Sequence, residues 1–291
     1  MPFIGYKWQD SSRILDKNMH NKNKNCTFAG RHAFPNGVLG STEMVFTDSI
    51  RTFGRYIMLM KQVLSIPQRW RIFFRQTLRE IYKLGVSSIP IVLLISVFIG
   101  AVLCIQMKTN VESPWMPKFI TGYATREVLL LEFSSSIMCL ILAGKVGSNI
   151  TSEIGTMRVT QQIDALEIMG VNSANFLILP KIAGLVTMIP ILVIFSMAAG
   201  IAGAYAMAEF SGFMTPEDLT VGLQYEFDQS YIGYSIIKSI AFSFIITSVS
   251  SFYGYTVTGG SIEVGKASTN SVVSCSALIL FFDIVLTQIL M

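Results

Sequence analysis

Charge, histidine and paired cysteine are all scarce in this chain. Only 14% of its 291 residues are Asp, Glu, Lys or Arg, whereas soluble domains average about 25%. Hydrophobic residues make up 52% and mean hydropathy is +0.55, a balance that points to a membrane protein. Both histidines, His20 and His32, fall in the polar N-terminal stretch, so the apolar body has no histidine for acid–base chemistry. Cys26, Cys104, Cys139 and Cys275 are scattered singly, three of them inside apolar runs, which argues against a disulfide framework or a zinc site. HExxH, GxSxG and clustered carboxylates are missing as well, so a membrane-embedded enzyme is a poor reading. A phosphate-binding loop is nearly spelled by "GGSIEVGKAS": Gly260, Gly265 and Lys266 fit G-x4-G-K, but Ala267 stands where a magnesium-binding Ser or Thr belongs. A membrane-length segment precedes it instead of a buried strand. ATP-driven work therefore requires a separate partner.

What the chain does have is long apolar runs. The hydrocarbon core is about 30 Å thick and a helix rises about 1.5 Å per residue, so runs near 20 residues read as spans. Five are expected, at about 86–107, 128–149, 177–208, 231–257 and 272–291. The third is overlong and contains Pro190, which predicts a kink or tilt. Its "AAGIAGAYA" offers small residues at which helices approach closely. The fold class is all-α and polytopic.

Residues 1–45, with "DKNMHNKNKN", are polar and lack the apolar core of a signal peptide. They read either as a disordered tail or as sequence ahead of a true start at Met44 or Met58. Next comes a basic amphipathic segment, "IPQRWRIFFRQTLREIYKL" at 66–84. Trp70, Phe73, Phe74, Leu78, Ile81 and Leu84 form its apolar side, and Arg71, Arg75, Arg79 and Lys83 recur every fourth residue on another. Such a helix suits the plane of a membrane surface. Eight basic residues lie from Arg51 to Lys83, while the 209–230 loop has none and carries five acids. The positive-inside rule then places the N-terminus in the cytoplasm and that loop outside. Lys108, Lys118 and Arg126 on the outer side run against the rule.

With five spans, "EIGTMRVTQQIDALEIMG" at 153–170 falls on the cytoplasmic side. A short helix is predicted from Thr160 to Met169, with Val159, Ile163, Leu166 and Met169 along one side and Thr160, Asp164 and Glu167 along another. Gly170 supplies the stop. About ten residues span roughly 15 Å, too short to cross a bilayer. Pattern alone leaves two roles open, a passive connector on the membrane or a peg that docks on a cytoplasmic partner.

Charges inside the runs are the other candidates, because a central charge costs about 2.5–3.5 kcal/mol and normally faces a cavity or a partner. Glu132 and Lys238 stand out. Lys145 can snorkel to the interface, and a polar neighbour can satisfy Asp283. An internal Glu–Lys pair neutralised for packing is the plainer reading of the first two. An ion-coupled secondary transporter that uses them as a proton-sensitive pair is the alternative from another class.

"LAGKVGSNITSEIGTMRVTQQIDALEIMGVN", followed by "LPKIAG", "IIKSIAF", "GGSIEVGKASTNSVV" and "FFDIVLT", resembles the MlaE-type permease family, the membrane subunits of lipid-transporting ABC systems. The similarity runs over roughly 64–291, and 46–291 is read as one domain. The resemblance implies a homodimer in a bacterial inner membrane, a cytoplasmic ABC ATPase that holds the ATP and magnesium, and a periplasmic MCE-domain protein. Phospholipid would pass between the inner and outer membranes. It makes 159–170 the ATPase-coupling helix, with Val159, Thr160, Gln161, Ile163, Asp164, Leu166, Glu167 and Gly170 as its residues. It also makes Glu132 and Lys238 part of the lipid pathway. Two departures stand out. Gln161 replaces an acid, and "LEFSS" replaces the usual Arg-Glu-Leu-Gly-Pro around Glu132, removing an Arg and a Pro. The near-miss phosphate loop becomes a cytoplasmic turn between spans four and five.

Overall fold

The computed structural model describes residues 39–65, 70–111, 117, 119–212 and 215–290. The chain divides into two compact units between Phe53 and Gly54. A helix absent from the sequence reading, Leu39–Val63, crosses that division. It begins inside the stretch assigned to the tail, and residues 1–38 lie outside the described residues. Everything below concerns the second unit, in which every described element is helical.

Five helical segments there are long and apolar enough to cross a membrane: Trp70–Val111, Phe119–Val159, Ser173–Ser211, Ser230–Tyr255 and Ser261–Leu290. The chain is a multi-pass membrane protein. Three boundaries differ from the expected spans. The basic amphipathic helix Trp70–Glu80 is not separate, but runs into the first span through a π-turn at Ile81–Gly85 and a 3-10 turn at Val86–Ser88. The second span extends to Val159 without leaving the helical state. The fifth begins at Ser261, so only Gly259 and Gly260 of the near-miss phosphate loop lie in the turn: Gly265 and Lys266 lie within a helix, and Lys266 pairs with Glu263 at 2.8 Å.

The first and third spans pack tightly because the small residues permit it. A Cβ at Gly100 would overlap the backbone of Gly200, and one at Gly203 would overlap the Val97 carbonyl. Ser96 and Ser196 share a hydrogen bond of 2.8 Å in the same contact. The third span is a 39-residue helix that holds both Pro180 and Pro190. At about 1.5 Å per residue it is roughly 58 Å long, far beyond the hydrocarbon core. Its start is fixed by Asn172, whose side chain caps the Asn175 amide at 3.2 Å. Asn175 in turn donates to the carbonyls of Val63 and Ser65.

Against this pair lie the second and fourth spans, and the fifth packs on those two, joined by hydroxyls as much as by apolar side chains. Thr151 donates toward the Ser250 carbonyl and Ser271, at 2.9 and 3.0 Å. In the absence of water, such groups must find protein partners. At the end of the bundle remote from the short helix, Arg126 is fully buried. It donates to the carbonyls of Leu223 and Tyr225 at 2.9 and 2.7 Å and to Glu127 at 2.8 Å. This arginine secures the loop that follows the third span, so its charge is spent inside the protein.

Candidate functional site

The short helix is shorter than its sequence pattern and more firmly held. Val159 ends the second span's helix, Thr160 caps it, and Gln161 adopts a left-handed conformation with φ of 59°. Only Gln162–Ile168 is helical, a rod of about 10 Å. Val159 and Thr160 therefore belong to the preceding element, because the left-handed residue breaks the run of amide-to-carbonyl bonds. Gly170 does terminate it. With φ of 75° it allows the Gly170 amide to reach the Glu167 carbonyl and the Val171 amide to reach that of Leu166, a Schellman closure.

The expected apolar stripe splits in two. Ile163 is completely buried and Leu166 half-buried, but Met169 faces out, and so does Ile168 at 88% exposure. The break at Gln161 resets the phase of the helix, which removes Val159 from the stripe and turns Met169 away. The acids, expected on a docking surface, are bonded to neighbouring span ends while staying partly exposed. Asp164 accepts from Arg158 at 2.7 Å, and Arg158 lies over the Tyr255 ring at 5.8 Å. Glu167 accepts from Ser173 at 2.8 Å and from Tyr255 at 2.9 Å. Those hydrogen bonds, with Arg158 nearby, hold its carboxyl below the usual glutamate range. The helix is thus clamped to the end of the second span, the start of the third and the end of the fourth.

Just behind the clamp is a four-charge chain. Lys181 lies between Glu80 at 2.9 Å and Glu153 at 2.7 Å, and Glu153 also takes Lys83 at 2.7 Å. Lys181 is nearly inaccessible, so its two carboxylates are what make its burial tolerable. Lys145 donates to the Ser87 carbonyl at 2.7 Å. The basic helix, the first span and the third span are tied at one level to the helix that leads into the clamp.

Glu132 and Lys238 do meet, at 3.1 Å, yet as part of a larger group. Lys238 is equally close to Asp283 at 3.1 Å. Ser136 donates to Asp283 at 2.7 Å and reaches Glu132 at 3.4 Å. One buried cation is shared by two acids from the second and fifth spans, and 45% of the Glu132 side chain remains exposed. Glu132 lies in a π-helical stretch, Leu129–Ile137, whose wider turn frees backbone carbonyls; Ser235 on the fourth span donates to one of them, Leu130, at 2.6 Å. The missing proline and arginine of "LEFSS" are thus replaced locally by a serine-rich π segment.

A family model described as Permease MlaE matches residues 77–289. This chain belongs to the MlaE permease family. Among curated relatives, a Rickettsia bellii protein named "Probable ABC transporter permease protein" is 31% identical over 244 residues, 82% of this chain and 92% of its own. The "Intermembrane phospholipid transport system permease protein MlaE" of Haemophilus influenzae is 32% identical over 247 residues, 84% of this chain and 93% of its own. A Pyropia yezoensis protein, also named as an ABC transporter permease, is 32% identical over 245 residues, 83% and 89% respectively.

For an MlaE permease, sequence reasoning falls short at three groups. It treats Asp283 as satisfiable by a polar neighbour, as Ser136 does, but misses its contact with Lys238, although its place in "FFDIVLT" among apolar residues is the available signal. Ser136 gave no signal beyond a serine run. The Glu80–Lys181–Glu153–Lys83 chain spans three separate elements, and only its spacing to the membrane ends could have hinted at it.

Proposed function

We propose that this chain is the permease subunit of an ATP-binding cassette transporter that moves phospholipid between the inner and outer membranes of a two-membrane bacterium. It works as a homodimer in the inner membrane with its N-terminus cytoplasmic. A cytoplasmic ATPase supplies ATP and magnesium chemistry, and a periplasmic MCE-domain protein receives or delivers lipid. Family membership and the name of the Haemophilus influenzae relative support the substrate class.

The observation that carries the mechanical part is the clamped short helix. Its acids and Ile163 fix it to three span ends, while Ile168 and Met169 protrude. A helix that holds on with one side and offers two large apolar side chains on the other is suited to insert them into a groove of a second protein. Because three spans share the clamp, a push on Ile168 and Met169 displaces all three together. Glu132, Lys238 and Asp283 then serve the lipid pathway, where the half-exposed Glu132 meets the headgroup. The ion-coupled alternative has less support, since Lys238 is committed to two carboxylates and the relatives are named as ABC permeases.

The test is reconstitution with the partner ATPase in liposomes, following labelled phospholipid with and without ATP. ATP-dependent movement that disappears in an Ile168→Glu, Met169→Glu variant supports the reading. Movement that follows membrane potential or pH and ignores ATP overturns it.

A further inference from the structure

Arg71, Arg75 and Arg79 recur every fourth residue on the helix Trp70–Glu80, and all three are exposed. Among the described residues none of them enters an ion pair, whereas the charges one turn further on are fully committed, Glu80 to Lys181 and Lys83 to Glu153. Beside the row stand exposed Trp70, Phe74 and Leu78, with the Trp70 and Phe74 rings packed on Phe73. The arginines, Ile72, Phe74 and Gln76 share one open stretch of the helix surface. This helix continues directly into the first membrane span, so the row lies where the bilayer surface begins.

Three guanidinium groups with no ion partner among the described residues, beside large apolar side chains, call for a particular occupant. Guanidinium binds phosphate through two parallel hydrogen bonds. Aromatic rings and leucine enter the boundary between headgroups and acyl chains. An anionic phospholipid offers both surfaces at matching depth, which a free anion or an acidic protein segment does not.

We propose that Arg71, Arg75 and Arg79 form a binding site for anionic phospholipid in the adjacent leaflet, separate from the transported lipid, and that its occupancy regulates the ATPase cycle. Glu80 and Lys83 follow the row and bridge through Lys181 and Glu153 to the second and third spans. Glu153 is five residues ahead of Arg158, which clamps the short helix through Asp164. Lipid that fixes the basic helix therefore stiffens the base of the clamp. The binding half stands alone; the regulatory half rests on the coupling role proposed above.

The full chain, purified with its ATPase and delipidated, is placed in phosphatidylcholine nanodiscs with increasing phosphatidylglycerol. Retained lipid is read by native mass spectrometry, and ATPase rate in parallel. The wild-type complex is expected to retain phosphatidylglycerol over phosphatidylcholine and to speed up as it is added. In R71Q/R75Q/R79Q retention falls on the order of a hundredfold and stimulation disappears, while the rate in pure phosphatidylcholine is unchanged. E153Q keeps the lipid and loses the stimulation. Equal retention by wild type and the triple variant overturns the site, as does full displacement by inorganic phosphate, which would make it a free-anion site. Retention lost with stimulation intact overturns the regulatory half alone. If no ATPase accompanies the chain, the coupling role fails while the lipid measurement still reads the site.

Discussion

Lys238→Met is the sharpest perturbation of the intramembrane group. Lys238 is almost fully enclosed and holds Glu132 and Asp283 at 3.1 Å each. At an effective dielectric near 20, one such contact is worth about 5 kcal/mol of direct attraction, most of it offset by desolvation. What matters is the partner left behind. Glu132 is 45% exposed, so solvent and lipid headgroups screen it and its loss of the lysine counts for little. Asp283 is only 16% exposed, and removing one member of a buried pair costs about 3–5 kcal/mol. For a domain of about 150–250 residues each kcal/mol lowers Tm by about 2–4 °C, so Lys238→Met should melt roughly 6–20 °C early. The double variant Lys238→Met, Asp283→Asn removes the stranded acid and should recover most of that loss. Thermal unfolding in detergent reads stability, and lipid transfer in liposomes reads function. Recovered stability without transport is the expected result. A Lys238→Met protein as stable as wild type would refute the electrostatic reasoning, and a double variant that transports normally would reduce the lysine to packing.

The short helix should separate holding from docking: Ile163→Ala costs about 2–5 kcal/mol because its side chain is fully buried, whereas Ile168→Glu leaves Tm within about 1 kcal/mol equivalent and abolishes co-purification of the ATPase. Glu167 has a lowered pKa, so its contribution to the clamp is complete above the ordinary value of 4.5 and is lost as pH falls through the lower folded value. Protection against hydrogen exchange over 160–170, taken relative to the intrinsic rate at each pH, should accordingly be high and constant at neutral pH and fall only in that acidic window; Glu167→Gln should remove the pH step. Gly203→Val should prevent accumulation of folded protein, since its side chain would occupy the Val97 carbonyl, and normal expression would deny the close crossing.

Sequence revealed the membrane spans because hydropathy has few rivals at that length, and it revealed the amphipathic face of Trp70–Glu80 because four-residue spacing survives folding. Boundaries were harder. Nothing in "YKLGVSS" signals that the helix continues through a π-turn and a 3-10 turn, as Gly85 there is an ordinary breaker by composition. The short helix was found but mis-phased, because a left-handed Gln161 is rare enough that an unbroken heptad-like stripe was the better expectation. Pairing was legible only where both partners were conspicuous: Glu132 and Lys238 interrupt apolar runs, but Asp283 joins them from a helix 45 residues beyond the lysine.

The bonding of Asp164 and Glu167 to neighbouring span ends changes how force can enter the permease. A docking surface made of acids would tolerate play, since exposed ion pairs are worth about 0–1 kcal/mol and loosen with salt. Here those acids fasten the helix to its own spans, and on the proposed coupling role the partner would grip the exposed Ile168 and Met169. Gln161, which stands where the family resemblance places an acid, becomes less of a loss on this arrangement. It occupies the left-handed break and its side chain makes no capping bond, so the charge it lacks is absent from a bend, not from the face that protrudes. Stiffness then comes from the buried Ile163, the Glu167 bonds to Ser173 and Tyr255 and the Glu153–Lys181 pair behind them, with the more exposed Arg158–Asp164 pair adding little. An apolar peg on a rigid base transmits a push with little slip, which is what a subunit without nucleotide chemistry of its own requires.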